Sequence, residues 1–318
     1  MQSLQGIKKR LEGIGSIKQI TSAMELVAAT KMRKAQEAAL SSRPYSFEAL
    51  EILANLINFI ESQKKKIDEP LLVKRPVVQT AFLVVTSDKG LAGSFNGALL
   101  KAFDDYLSSR GFRDLSEAKE AKFIVVGEKG ADYIKKRGGD IVKQFTKFGD
   151  ALSFSETEEL AEFIMAGFVR GEWDEVVSVS SNFISALKQM PVSLSLLPLD
   201  FNKIRKTVLD IIPETGRYSG LRQAIISRRT KEPAEYIIEP SIEEAFRKLI
   251  PLLFKMQVFH LILEANAAEH SARRFAMKSA SDNAAGLLDE LRLVYNRSRQ
   301  EAITRELNEI TSAIAAIK

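Results

Sequence analysis

The chain has no cysteine. That excludes disulfides, thiolate metal sites, iron–sulfur clusters and a cysteine nucleophile. Histidine is almost as scarce: His260 and His270 are the only two, and both lie in one helical stretch. A histidine-built metal centre or a Ser/His/Asp triad has too little to draw on. No apolar run approaches the roughly 20 residues that span a bilayer. The opening MQSLQGIKKRL lacks the apolar segment of a signal peptide. The expectation is a chain on the cytoplasmic side, peripheral to a membrane at most and not inserted in it.

What is present is a sizeable core. Of 318 residues, 45% are apolar and 27% charged, the composition of a folded soluble protein. The net charge is +5 and the isoelectric point about 9.2. The excess is local: Lys8, Lys9, Arg10, Lys18, Lys31, Arg33, Lys34 and Arg43 face only Glu12, Glu25 and Glu37 in residues 1–43. A basic face of Lys8, Lys9, Arg10, Lys31, Arg33 and Lys34 could meet nucleic acid or an acidic protein. Single-strand binders interleave aromatics with the charges, and residues 1–40 contain no Phe, Tyr or Trp. An acidic protein surface is the better partner, and no nucleic acid is expected.

Hydrophobic period divides the chain. Over residues 1–63 it is helical: Leu4, Ile7, Leu11 and Ile14 step by three and four, and Ile17, Thr21, Met24 and Ala28 continue the stripe. This is the seam of a left-handed coiled coil, with Pro44 expected to break or bend the helix. Over residues 76–199 the period shortens. VVQTAFLVVTS, KFIVVG, DIVKQF, DEVVSVSS and PVSLSLLPL are strand-length runs, with helical stretches over 97–110, 129–136 and 156–170 between most of them. Such alternation predicts an open, mostly parallel α/β sheet of Rossmann-like type. Residues 200–240 are polar and basic, an extended surface segment with one short helix over 201–234.

From residue 241 to 318 the helical period returns. Ser241 and Glu244 form a capping signature, Pro251 should kink the helix near its start, and Gly286 is the one later breaker. The stripe runs Leu287, Leu291, Val294, then Ile303, Leu307, Ile310, slipping phase near Ser298. The end, NRSRQEAITRELNEITSAIAAIK, is an apolar-striped helix with no stop signal. A helix over 241–318 measures about 115 Å at ~1.5 Å per residue, against a radius of gyration of about 20 Å for a globule of this size. The two terminal helices should therefore pair antiparallel and project from the α/β domain.

Candidate chemistry is thin. The glycine-rich TSDKGLAGSFNG follows a predicted strand, but Gly90, Gly93 and Gly97 match neither GxGxxG nor the P-loop. The pairs Asp104–Asp105 and Glu158–Glu159 read as solvated helix faces, and Trp173 as domain packing. No nucleophile, base and orienter occur together, so no catalytic residue, metal or cofactor is expected.

Several stretches resemble one family, the γ subunits of F-type ATP synthases. QITSAMELVAATKMRKAQ (residues 19–36) is similar to that family's N-terminal helix, and EHSARRFAMKSASDNA with LVYNRSRQEAITRELNEI to its C-terminal helix. SDKGLAGSFN is similar to its loop after the first strand. The resemblance covers nearly the whole chain except residues 201–234. It implies a central rotating shaft, one copy within three α and three β subunits, coupling ion-driven turning of a membrane ring to ATP synthesis or hydrolysis. Catalysis would belong to the surrounding subunits. It implies contacts to the stator through Met24, Arg299, Gln300, Thr304 and Glu306, and an apolar axle tip of Ile310, Ile314 and Ile317. It also implies a foot on the membrane c-ring through Tyr236 and Glu239, the ε subunit as a further partner, and a peripheral place on the cytoplasmic face of the cell membrane. The alternative is a nucleotide-binding α/β protein with a coiled-coil arm.

Overall fold

The computed structural model describes residues 3–62, 69–112, 115–116, 118–148, 152–185, 187–200 and 241–316, with side chains for all of these except 39–62, 242 and 313–316. Tyr236, Glu239, Ile317 and the expected short helix over 201–234 lie outside the described residues. Two compact units are present. One comprises Met1–Thr30 with Arg273–Lys318, the other Lys31–Ala272.

Five strands build the larger unit: β1 (Thr80–Val85), β2 (Ala121–Val126), β3 (Ile141–Phe145), β4 (Glu175–Ser185) and β5 (Lys188–Leu197). Their order is β3-β2-β1-β4-β5. β1 pairs parallel with β2 and with β4, and β2 parallel with β3, while β5 returns antiparallel on β4. Every residue of the central β1, TAFLVV, is buried, as a strand covered on both faces requires. Its alternation sorts two cores. Phe82 and Val84 face Leu99, Phe103 and Leu107 of α2 (Phe95–Ser109) and Ile134 of α3 (Glu128–Lys136). Ala81, Leu83 and Val85 face Leu160, Ile164 and Phe168 of α4 (Phe154–Arg170), with Phe246, Phe254 and Ile262 of the C-terminal helix, α5 (Ile242–Ala316).

Both ends of α4 follow from its sequence. Ser153 and Glu156 form the capping box, the Ser153 N–H donating to the Glu156 carboxylate at 2.6 Å. Gly171 closes the helix at φ 77°. Trp173 is 1% exposed, and its indole N–H donates to the Ile164 carbonyl at 3.1 Å. It packs on Gly167, where a Cβ would lie 2.0 Å from the Trp173 ring.

Three expectations need correction. α1 runs unbroken over Leu4–Ser62, through Pro44. One proline removes one backbone bond, and the helix on both sides outweighs that loss. Asp104 is no free solvated carboxylate, because it accepts from Arg137 and from the Tyr133 hydroxyl. Glu158 and Glu159 carry surface ion pairs, with Lys255 at 3.2 Å and Lys143 at 2.7 Å, and Glu159 stays on a solvated face as expected, its side chain 73% exposed. Within Glu243–Ser312 one 18-residue stretch is also long and apolar enough to cross a membrane by composition. It is 56% buried inside the protein, as a core helix is.

Asp174 anchors the segment leading into β1. It accepts from the N–H groups of Val78 and Gln79, each at 3.0 Å. Arg75, which stacks on Phe168, lies 3.5 Å away. The N–H groups of Gln79 and Val78, helped by Arg75, hold the Asp174 carboxyl below the usual carboxylate range. A depressed folded pKa stabilises the fold above the unfolded value, near 3.9, and that contribution is lost as pH falls towards the folded value. Asp174→Asn should therefore lower the urea midpoint at pH 7 and narrow the difference between pH 7 and pH 3. Identical pH dependence in both proteins would overturn this assignment.

Candidate functional site

In the smaller unit, α1 and α5 meet along a heptad seam. On α1, Ile7, Thr21 and Ala28 are buried, and Leu4, Leu11, Ile14, Lys18 and Glu25 half-buried. On α5, Met277, Ser281, Ala284 and Leu288 are buried, with Leu291, Tyr295 and Ser298 half-buried. Both rows step by three and four, as knobs-into-holes packing demands. The Ser22 and Ser281 hydroxyls hydrogen-bond at 2.7 Å. With those two level, an antiparallel pair brings Leu4 level with about residue 299.

The seam keeps the sequence reading at Leu4, Ile7, Leu11, Ile14, Thr21, Ala28 and Leu291, and shifts by one residue at 17, 24, 287 and 294. Ile17 is 53% exposed and the half-buried Lys18 takes its place. Leu287 and Val294 are likewise exposed, each by 49%, while Leu288 is buried. Apolar identity alone misled the assignment because this seam admits Lys18, Thr21, Glu25 and Ser281. Strict three-four spacing counted from Ile7 would have found it.

The displaced apolar residues form a second stripe. Ile17, Ile20, Met24 and Val27 recur at steps of three and four on α1, with Ile20 58% and Val27 54% exposed and Met24 half-buried. On α5, Arg299, Gln300, Thr304 and Glu306 are all exposed, beyond the level where α1 begins. Gln300 and Thr304 share one side of the helix, and Arg299 and Glu306 another. The Thr304 hydroxyl donates to the Gln300 carbonyl at 2.9 Å, so its proton is used within the helix. Ile303, Leu307 and Ile310 are 47–58% exposed. Among the described residues, the apolar row on this last stretch is exposed and buried against no other element.

The basic residues fall in two groups along the sequence of α1. Lys8, Lys9 and Arg10 are exposed near the start of α1, and residues 11–30 separate them from Lys31, Arg33 and Lys34. In the second cluster Arg33 lies 3.7 Å from Glu37.

In the larger unit, a carboxylate from the glycine-rich loop after β1 caps the start of α3. The Asp88 carboxylate accepts from the N–H of Glu128, at the start of α3, at 3.2 Å and from that of Lys147 at 2.9 Å. A helix N-terminus attracts anions, and here a side chain supplies the anion. Asn96 braces the loop: its Oδ1 accepts from the Ser87 N–H at 3.1 Å and its amide donates to the Ser87 hydroxyl at 2.7 Å. Beside it Ala92 and Phe95 pack with Ala268 of α5, flanked by Phe183 and Ala272. Gly127 sits at φ 92°, where a Cβ would lie 2.3 Å from the Thr86 carbonyl oxygen. The glycine thus serves close packing of strand end on helix. Among the described residues no group of three or more His, Asp or Glu is placed to hold a metal.

A family model described as ATP synthase matches residues 3–317. The chain is 34% identical to the ATP synthase gamma chain of Desulforamulus reducens, over 100% of both chains. It is 36% identical to that of Opitutus terrae over 98% of each, and 37% identical to that of Chlorobaculum parvum over 100% of each. In solved structures the fold is similar to a chain of the Euglena gracilis mitochondrial ATP synthase rotor. That match has a TM-score of 0.58 and 18% identity, covering 94% of this chain and 98% of that one. A chain of the Tetrahymena thermophila mitochondrial ATP synthase central stalk and c-ring matches at TM-score 0.57 and 22% identity, over 82% of this chain and 99% of that one.

Proposed function

The chain belongs to the ATP synthase gamma-chain family, and on that premise we propose that it is the non-catalytic central shaft of the rotary complex. One copy would stand within three α and three β subunits and carry rotation between them and a membrane c-ring, with ε as a further partner. It would be held peripherally at the cytoplasmic face of the cell membrane. The single observation that best supports a shaft is the end of α5. From Glu301 to Ser312 every residue is exposed, including an apolar row covered by none of the described residues.

That exposure is costly for an isolated protein. Burying one such side chain contributes about 1.5–3 kcal/mol. Apolar contact has no preferred direction, so a sleeve of apolar groups around Ile310, Ile314 and Ile317 could hold a tip that still turns. Hydrogen bonds would pin it at fixed angles. By the same reasoning the stripe of Ile17, Ile20, Met24 and Val27 would bear against the stator. Arg299, Gln300 and Glu306 would supply its polar contacts, and Thr304 would accept hydrogen bonds, its proton being spent. Tyr236 and Glu239 would form the foot on the c-ring. Against the alternative, a nucleotide-binding protein with a coiled-coil arm, stand a glycine-rich loop that matches no phosphate-binding spacing and an α3 N-terminus already taken by Asp88.

Co-expression with α and β subunits tests the reading. A complex with one copy of this chain per three α and three β is expected, with ATP hydrolysis by the complex and none by the isolated chain. Removing residues 310–318 should weaken assembly more than it slows turnover in the complexes that form. A stoichiometry of three copies per ring, or hydrolysis by the chain alone, would overturn the proposal.

A further inference from the structure

We propose that Ser22 and Ser281 are the register pin of the two-helix shaft, holding α1 and α5 against axial slip while the shaft is under torque. The argument starts from what the rest of the seam cannot do. Ile7, Leu11, Leu288 and Leu291 make contacts without direction, which tolerate displacements of one helix along the other. The hydroxyl pair does not. At 2.7 Å between Ser22 Oγ and Ser281 Oγ, a slip of one helical turn, about 5.4 Å, carries a bond lying across the axis to roughly 6 Å and breaks it.

The neighbouring layers let the pin form. Thr21 is buried, and its hydroxyl is turned back on its own helix, to the Ile17 carbonyl at 3.0 Å and the Lys18 carbonyl at 3.1 Å. It does not compete for Ser281. Ala28 and Ala284 are small and buried, so the two backbones can approach closely enough for two short side chains to meet. Ser281 is 8% exposed; a hydroxyl there that lost its partner would be left buried and unpaired. A polar pair within a coiled-coil seam is an established way to select one register; here the half-buried Lys18 and Glu25 flank it, and Thr21 is spent on its own helix.

The consequence for function rests on the shaft reading above. Because α5 runs on past the start of α1, torque entering at its end would pass to α1 through the seam as shear. A pinned pair resists that motion and keeps the Met24 stripe on α1 in fixed angular relation to the Arg299–Glu306 row on α5. Ser22 and Ser281 are therefore positioning residues, acting through the surfaces they align.

A cysteine-free chain makes the test clean. In Ser22→Cys/Ser281→Cys, oxidation should give an intramolecular disulfide, read as a mobility shift without a dimer. This should occur in the isolated full-length chain and in the assembled complex alike. Oxidised complexes should keep their ATP hydrolysis and their ratio of ion pumping to hydrolysis. Ser22→Ala/Ser281→Ala, which loses the bond, should raise the slipped population about 3- to 10-fold. The pumping-to-hydrolysis ratio should fall at least about twofold with hydrolysis retained, whereas the oxidised cysteine pair should hold it at the parent's value. Failure to form the disulfide in the isolated chain overturns the pairing. Loss of turnover on oxidation, or an unchanged ratio in the alanine pair, overturns the role in torque. Failure of the unmodified chain to assemble with α and β subunits overturns the shaft reading while leaving the disulfide result standing.

Discussion

Gly167→Ala is expected to destabilise the larger unit by about 3 kcal/mol or more, a change out of proportion to one methyl group. The added Cβ would lie 2.0 Å from Cζ2 of Trp173 and 2.2 Å from Cη2. Neither side can yield cheaply. Trp173 is 1% exposed, and its ring is held by the hydrogen bond to Ile164 and by the tilted contact with Phe163 at 5.8 Å. Gly167 is in the last turn of α4, whose Leu160, Ile164 and Phe168 are packed on the sheet. Moving the helix away would open that core, and moving the ring would strand a buried indole N–H. Gly286→Ala is the control. A Cβ added there would meet nothing within 4 Å, and the site is exposed in mid-helix. That change should stabilise by up to about 1 kcal/mol. Urea midpoints of the two variants should move in opposite directions. A midpoint for Gly167→Ala within error of the parent would show that the Trp173 contact is slack.

Met24→Lys should uncouple the assembled complex without preventing its assembly. Met24 lies in the exposed apolar stripe with Ile17, Ile20 and Val27. Its flexible, uncharged side chain can pass an acidic stator segment without a strong angular preference. A lysine would form a close ion pair at one rotor angle. Exposed pairs contribute about 0–1 kcal/mol, but a partly desolvated pair at an interface reaches about 2. A trap of that depth slows escape by roughly 30-fold at most. ATP hydrolysis should remain appreciable and ion pumping should fall more steeply. Neutralising the partner carboxylate should recover part of the loss. The measurement is the ratio of ATP-driven pumping to hydrolysis in membrane vesicles, with Met24→Leu beside it. Equal ratios for the lysine and leucine variants would place Met24 away from any acidic stator segment.

The sequence by itself determined the element plan. The β-branched runs beginning near Val77, Lys122, Asp140, Asp174 and Pro191 each contain a strand, because a period of two and a continuous apolar run are local properties. The α4 capping box and the long terminal helices were set in the same local way. What the tertiary structure decided was which residues meet. Whether Ile17 or Lys18 entered the seam depended on the facing helix, since a short polar or half-buried charged residue is tolerated there once its polar end is partnered or reaches solvent. Asp88 could not be assigned to the α3 N-terminus from its own neighbourhood, because Glu128 and Lys147 reach it only through the sheet. Asp104 met Arg137, and Ser22 met Ser281, for the same reason. Hydrophobic period is written along the chain, whereas the partner of a polar group is chosen across it, where the folded backbone places a donor within reach.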